Sequence, residues 1–213
     1  MAIIAPQTES TFKLIPAGVY PARCYSMVEL GTQEIESMGK IKSVRQLLLS
    51  WELPLELEVF NQEKGLQPYS VNKTYNLSMY ETANLRRDLE SWRGKRFTEE
   101  EAKEFDITKL LGVPCQISII HNVGKDGNRT YANINSITNI MKGIEVPDQI
   151  NPKRLLEFSN FDWEVYKSLP DWLKEKITKS PEYKALAGFN DVQSQDESEN
   201  IQEESKEPDD LPF

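Results

Sequence analysis

The residues that could do chemistry in this 213-residue chain are mostly cations set close to aromatic rings. Arg23 with Tyr25, Lys42 with Arg45, Lys73 with Tyr75, and Lys125 and Arg129 with Tyr131 alternate charge and ring along stretches that read as strands and their loops; Lys40 adds a further cation. A groove that holds one nucleic-acid strand needs this combination. Ammonium and guanidinium groups meet the phosphates, and exposed ring faces take the bases, each stack contributing roughly 1–3 kcal/mol. Tyr131 is the strongest of these rings, because Asn133 and Asn135 on its face are polar while Ala132 and Ile134 alternate inward. Trp51 shares a face with Leu47, Leu49 and Leu53 and is expected in the core.

Other reactive side chains do not assemble into a site. His121 is the one histidine, and Cys24 and Cys115 are isolated and far apart, without the close ligand pairs of a zinc site. They read as two buried thiols in a reducing compartment. Glu99, Glu100 and Glu101 fall in the first turn of an expected helix, where negative charge complements the helix dipole, so capping and not metal binding is their expected role. The stretch from Gly124 to Gly127 is a hairpin turn and not a phosphate-cradling loop, because no helix-forming segment follows it. No spacing gathers carboxylates as a nuclease requires. The expectation is a binding protein with no catalytic residues, no metal and no cofactor.

The elements that must position these groups are legible from periodicity. Residues 18–30 alternate as a strand; the breaker Gly31 and the Ser37-to-Gly39 stretch then predict a loop. A second strand over 42–53 is expected to stop at Pro54, with 56–60 continuing it or starting another, and a loop over 61–68 precedes a third strand over 69–77. Ser78 with Glu81 has the spacing of a capping box, followed by Leu85, Leu89 and Trp92 at helical intervals and by Gly94 as the stop. Thr98 with Glu101 forms a second such box, and 107–111 adds another turn. The helical block carries Arg86, Arg87, Arg93, Lys95 and Arg96 beside Asp88 and Glu90, mixed signs that favour a solvated face with local ion pairs over a phosphate site. Strands return at 115–122 and 130–140, joined by a turn containing Asp126 and Gly127.

Three strands, a helical insert and a two-stranded hairpin make the order of an OB-fold, a five-stranded, partly open barrel. The predicted class is therefore mainly β with helices. Short helices are expected at 162–168 and 170–179, with a last turn from Ser180 to Gly188, and this 144–189 extension packs on the barrel or at a subunit contact. No run of 18 apolar residues exists: the cluster Leu47-Leu48-Leu49 is broken by Ser50, so no membrane span is expected. The N-terminus also lacks the basic region and apolar core of a secretory signal.

Lys and Arg total 25 against 34 Asp and Glu, a net charge of −9. Nearly all of that charge sits at one end: residues 190–213 hold nine acids and a single base, Lys206, for −8. The body over 1–143 and its extension are close to neutral, so an acidic average does not exclude nucleic acid. The tail is polar and nearly without rings, leaving too little apolar surface to offset ordering entropy, and it is expected to be disordered. Asp209, Asp210, Leu211, Pro212 and Phe213 end it with one apolar plug, a stiffened backbone and clustered negative charge. Such an end suits a small hydrophobic pocket with a basic rim.

That tip resembles the acidic C-terminal tip of bacterial single-stranded DNA-binding proteins, a run of Asp ending in an aliphatic residue, Pro and Phe. The body resembles a family of tailed-phage single-stranded DNA-binding proteins from replication and recombination modules. The likeness is carried by Gly18-Val-Tyr-Pro-Ala-Arg-Cys24, Glu29-Leu-Gly-Thr-Gln33, Asn84-Leu-Arg-Arg-Asp-Leu-Glu-Ser-Trp-Arg-Gly94, Phe97-Thr-Glu-Glu-Glu101 and Tyr131-Ala-Asn-Ile-Asn135, and it covers most of residues 15–142. It implies an OB-type body that coats single-stranded DNA in the host bacterial cytoplasm, with replication or recombination proteins docking on the tip and a homo-oligomer compatible with both. A strand-annealing accessory and a non-DNA-binding adaptor with a solubilising tail are the alternatives.

Overall fold

A computed structural model describes residues 13–37, 39–124, 127, 129–186 and 188. Strands β1 (Gly18–Ser37), β2 (Lys40–Asn61) and β3 (Gly65–Asn76) come first. Helices α1 (Asn84–Arg93) and α2 (Glu99–Glu104) and a 3-10 turn (Ile107–Leu110) follow, then β4 (Pro114–Val123), β5 (Thr130–Thr138), β6 (Arg154–Leu156), α3 (Trp163–Lys167) and α4 (Asp171–Lys179). The sheet runs β3-β2-β1-β4-β5, with β6 paired to β1. Mainly β, with a helical insert between the third and fourth strands, this is the OB-like α+β order that the sequence predicts.

Four local expectations are corrected. Gly31 does not break β1; it takes φ +71° within the strand, and a Cβ there would lie 2.5 Å from the Cβ of Ser180, so the glycine serves a close approach. Pro54 does not stop β2, since its fixed φ is compatible with extended chain, and the strand runs on to Asn61. The Ser78 capping box does not form. The Ser78 N–H turns back to the Asn76 carbonyl, a further turn closes from Ala83 to Tyr80, and α1 starts only at Asn84 with no side-chain cap. Finally, β6 lies in a stretch where no strand was expected. The Thr98 box does form: Glu101 N–H donates to Thr98 Oγ1 at 3.1 Å, and Thr98 N–H donates to the Glu101 carboxylate at 3.2 Å.

Two compact units divide the chain, and β1, β2 and β3 contribute residues to each. In the first, β1 pairs antiparallel with β4 from Gly18 opposite Ile119 to Arg23 opposite Pro114, and β4 pairs antiparallel with β5. Its core joins Trp51, Leu53, Ile117, Ile119 and Ile137 to Leu85, Leu89 and Trp92 of α1, whose buried face repeats at helical spacing. The Trp51 and Trp92 rings meet at 5.8 Å, so the core position expected for Trp51 is the one it occupies. Cys24 and Cys115 are both buried and free. Burial pushes the Cys24 thiol up to about 12 and holds the Cys115 thiol well above its usual value, which keeps both protonated and unreactive.

Two charged side chains hold an irregular segment of this unit. The Arg23 guanidinium donates to the carbonyls of Gly112, Val146 and Pro147 at 3.0, 2.9 and 2.6 Å. Fully buried Glu52 accepts from the Ile150 N–H at 2.6 Å, the Asn151 N–H at 2.8 Å and the Asn151 side-chain amide at 2.7 Å. A carboxylate can lie inside a core when such donors replace its water.

The second unit packs Val28, Leu30 and Leu48 against Leu156 of β6 and against Leu169, Leu173 and Ile177, the last two from α4. Phe158, Phe161, Tyr166 and Tyr183 pack on this cluster. Around it, Glu182 accepts from the Thr32 N–H at 2.9 Å and from its hydroxyl at 2.7 Å, and Gln33 donates to the Lys176 carbonyl at 2.9 Å. Each fully buried aliphatic side chain of this kind contributes roughly 1.5–3 kcal/mol.

Candidate nucleic-acid interface

The open path of the sheet leaves β3 and β5 as its two end strands. Between Tyr69 and Asn72 of β3, residues 129–133 at the start of β5, and the segment 13–15 lies a cleft of 710 Å³ whose principal side chains are Lys13, Tyr69, Asn72, Arg129, Tyr131 and Asn133. Two cations, two phenol rings and two amides therefore converge within the first unit.

Local structure explains each position. Tyr131 stands opposite Asn122 in the β4–β5 ladder and is 47% exposed; strict alternation would place it on the side of buried Ile137, but the register shift between Ser118 and Ile119, which pair with Ser136 and Ile134, changes the phase of β5 between the two. Arg129 closes the hairpin: the Gly124 N–H donates to its carbonyl at 2.7 Å, and Gly127 at φ +71° makes the turn. Tyr69 is steadied by Phe60, an edge-on pair with centroids 4.9 Å apart. Segment 13–15 is tied at two points, by His121 Nε2 at 2.8 Å from the Ile15 carbonyl and by the Lys13 ammonium 3.0 Å from the Glu58 carboxylate. The hydrogen bond from Lys13 holds the Glu58 carboxyl below its usual range. Arg129 has no ion pair among the described residues.

Of the side chains singled out in the sequence, Arg129 and Tyr131 line this cleft. Lys125 lies outside the described residues, as do 190–213 with the tip from Asp209 to Phe213. Arg23 is spent on three backbone carbonyls, and half-buried Tyr25 does not line the cleft. Lys73 is ion-paired with Asp88 at 2.7 Å. Tyr75 is 2% exposed and presents no ring face to a base, because the inward alternation of β3 that buries Val71 buries it too. Exposed Lys40 and Lys42 belong to the second unit, as does Arg45, which pairs with Glu29 at 2.7 Å.

Lys13 and Tyr69 are the residues missed. Tyr69 falls within the third predicted strand two positions before Val71, so its phase was visible, but its partner Phe60 was not. The insert behaves as its mixed charges suggest, with Lys95 3.0 Å from Glu101 and Arg93 stacked 4.0 Å over Phe97. Arg86 departs from a solvated face, being 4% exposed with Glu90 at 3.1 Å and Glu99 at 2.9 Å. Among the described residues no cluster of His, Cys, Asp and Glu could hold a metal ion, and no helix is long and apolar enough to cross a membrane. No protein-family model, curated protein or solved structure matches the chain.

Proposed function

We propose that this protein binds single-stranded DNA without sequence preference, coating it during phage replication and recombination in the host cytoplasm. One observation carries the reading: Lys13 and Arg129 share a cleft with Tyr69 and Tyr131 between the two end strands of the sheet. Ring faces suit unpaired bases, which a duplex keeps stacked on one another, and cations suit the phosphates that every sequence shares. The likeness of the body and tip to single-stranded DNA-binding proteins supports the same reading.

Titration of fluorescent oligo-dT against duplex of equal length tests it. Oligo-dT is expected to bind at least tenfold more tightly, with log affinity falling linearly in log salt as counterions are released. Equal affinity for the two forms, or no salt dependence, contradicts the proposal.

The tail extends the proposal to partners. Its −8 charge competes with phosphate for the basic cleft at low salt, where screening is weak, and its apolar tip docks replication or recombination proteins. Deleting 190–213 is expected to tighten oligo-dT binding several-fold at low salt and to change little at high salt. Deleting Phe213 alone leaves DNA binding intact and abolishes capture of replication proteins. A Phe213 deletion that captures every partner of the full chain reduces the tail to a solubilising polyanion.

A further inference from the structure

The two cations of the cleft are not equivalent. Arg129 has no ion pair among the described residues, whereas the Lys13 ammonium lies 3.0 Å from Glu58 Oε2. Glu58 is the anchored member of that pair. Its Oε1 accepts from the Val59 N–H at 3.1 Å, its side chain is 26% exposed, and it shares the even phase of β2 with Phe60, the ring that backs Tyr69. The Lys13 side chain is 63% exposed and carries its charge at the end of a flexible four-carbon stem. When the pair opens, the ammonium moves and the carboxylate stays.

A phosphate entering the cleft therefore meets one guanidinium without an ion pair and one ammonium already neutralised. Glu58 acts against it twice, by taking a donor of Lys13 and by repelling the negative charge of the phosphate itself. An ion pair this exposed holds its members together only a few-fold, a margin that a string of phosphates overcomes.

We propose that Glu58 is a specificity-determining residue of the cleft, a built-in counter-ion that keeps Lys13 until a strand of phosphates displaces it. The inference rests on the single-strand-binding reading of the cleft. Its consequence is discrimination by charge density: a strand engages Lys13 and Arg129 together, and an isolated anion engages Arg129 alone.

Fluorescence titration of oligo-dT with the full chain and with Glu58→Gln, Lys13→Gln and the double variant, at about 50 mM and about 300 mM salt, tests this. Glu58→Gln keeps an oxygen for the Val59 N–H and loses the charge, so it is expected to melt like wild type and to tighten binding about two- to five-fold at low salt. Lys13→Gln is expected to weaken binding and to flatten the log–log salt dependence by about 0.7, the value of one single-strand phosphate contact. In the Lys13→Gln background the gain from Glu58→Gln is expected to disappear, and Glu63→Gln, the same charge change at the β2–β3 turn, is expected to leave affinity at the wild-type value. A Glu58→Gln variant that binds no more tightly than wild type overturns the proposal. An equal gain with and without Lys13 overturns it as well, because the carboxylate then acts only through its general field. Should Glu58→Gln not fold, Lys13→Gln decides: wild-type affinity and salt dependence there mean that Glu58 never yields the ammonium. No oligo-dT binding by the wild type overturns the reading of the cleft itself, and this inference with it.

Discussion

Glu52→Ala is expected to lower the unfolding free energy by about 3–5 kcal/mol, the largest stability loss among the polar side chains described. The carboxylate lies wholly inside the first unit and satisfies two backbone N–H groups and one side-chain amide of Ile150 and Asn151. Removing it leaves those donors without their acceptor in a place water reaches poorly, and hydrogen bonds to an ionised acceptor are the strong ones. Glu52→Gln keeps the volume and one acceptor oxygen, so its loss should be about half as large. Urea unfolding of the three proteins measures both. An alanine variant within about 1 kcal/mol of wild type would mean that the 146–151 segment does not depend on this carboxylate.

Tyr69→Ala and Tyr131→Ala are each expected to weaken oligo-dT binding by about 1–3 kcal/mol, a loss of roughly 5- to 150-fold, while leaving the melting temperature near wild type. Both rings line the cleft, and Tyr131 is almost half exposed, so truncation removes a stacking surface and little core. Tyr75→Ala provides the contrast. That ring is 2% exposed, and its truncation is expected to cost about 3–5 kcal/mol of stability, with any binding loss following from unfolding. Wild-type affinity in Tyr131→Ala at an unchanged melting temperature removes that ring from the site.

The contrast between two tyrosines of β3 shows where the sequence was readable. Strand order, the helix built on Leu85, Leu89 and Trp92, and the Thr98 box follow from periodicity and capping, which are local. Tyr131 was legible because polar Asn133 and Asn135 mark its face as outward. Tyr69 and Tyr75 have the same phase in β3, and what separates them is tertiary: Tyr69 leans on exposed Phe60, while Tyr75 is buried. The fate of Arg23 was equally hidden, since the carbonyls of Val146 and Pro147 that occupy it come from a segment far along the chain with no periodic signal. Glu52 carried a faint mark, a lone acid between Trp51 and Leu53, which asks for buried donors without saying which.

The central claim is that Tyr69 and Tyr131 hold the bases. Photocrosslinking of the full chain to an oligonucleotide of 5-bromodeoxyuridine, followed by mass spectrometry of the digested adducts, tests it most directly, because crosslinks form only at residues in contact with a base. Adducts at Tyr131 and Tyr69, suppressed by excess oligo-dT and not by duplex, are the predicted result. Adducts confined to the helical insert around Arg87, Lys95 and Arg96, with both tyrosines unmodified, would contradict it.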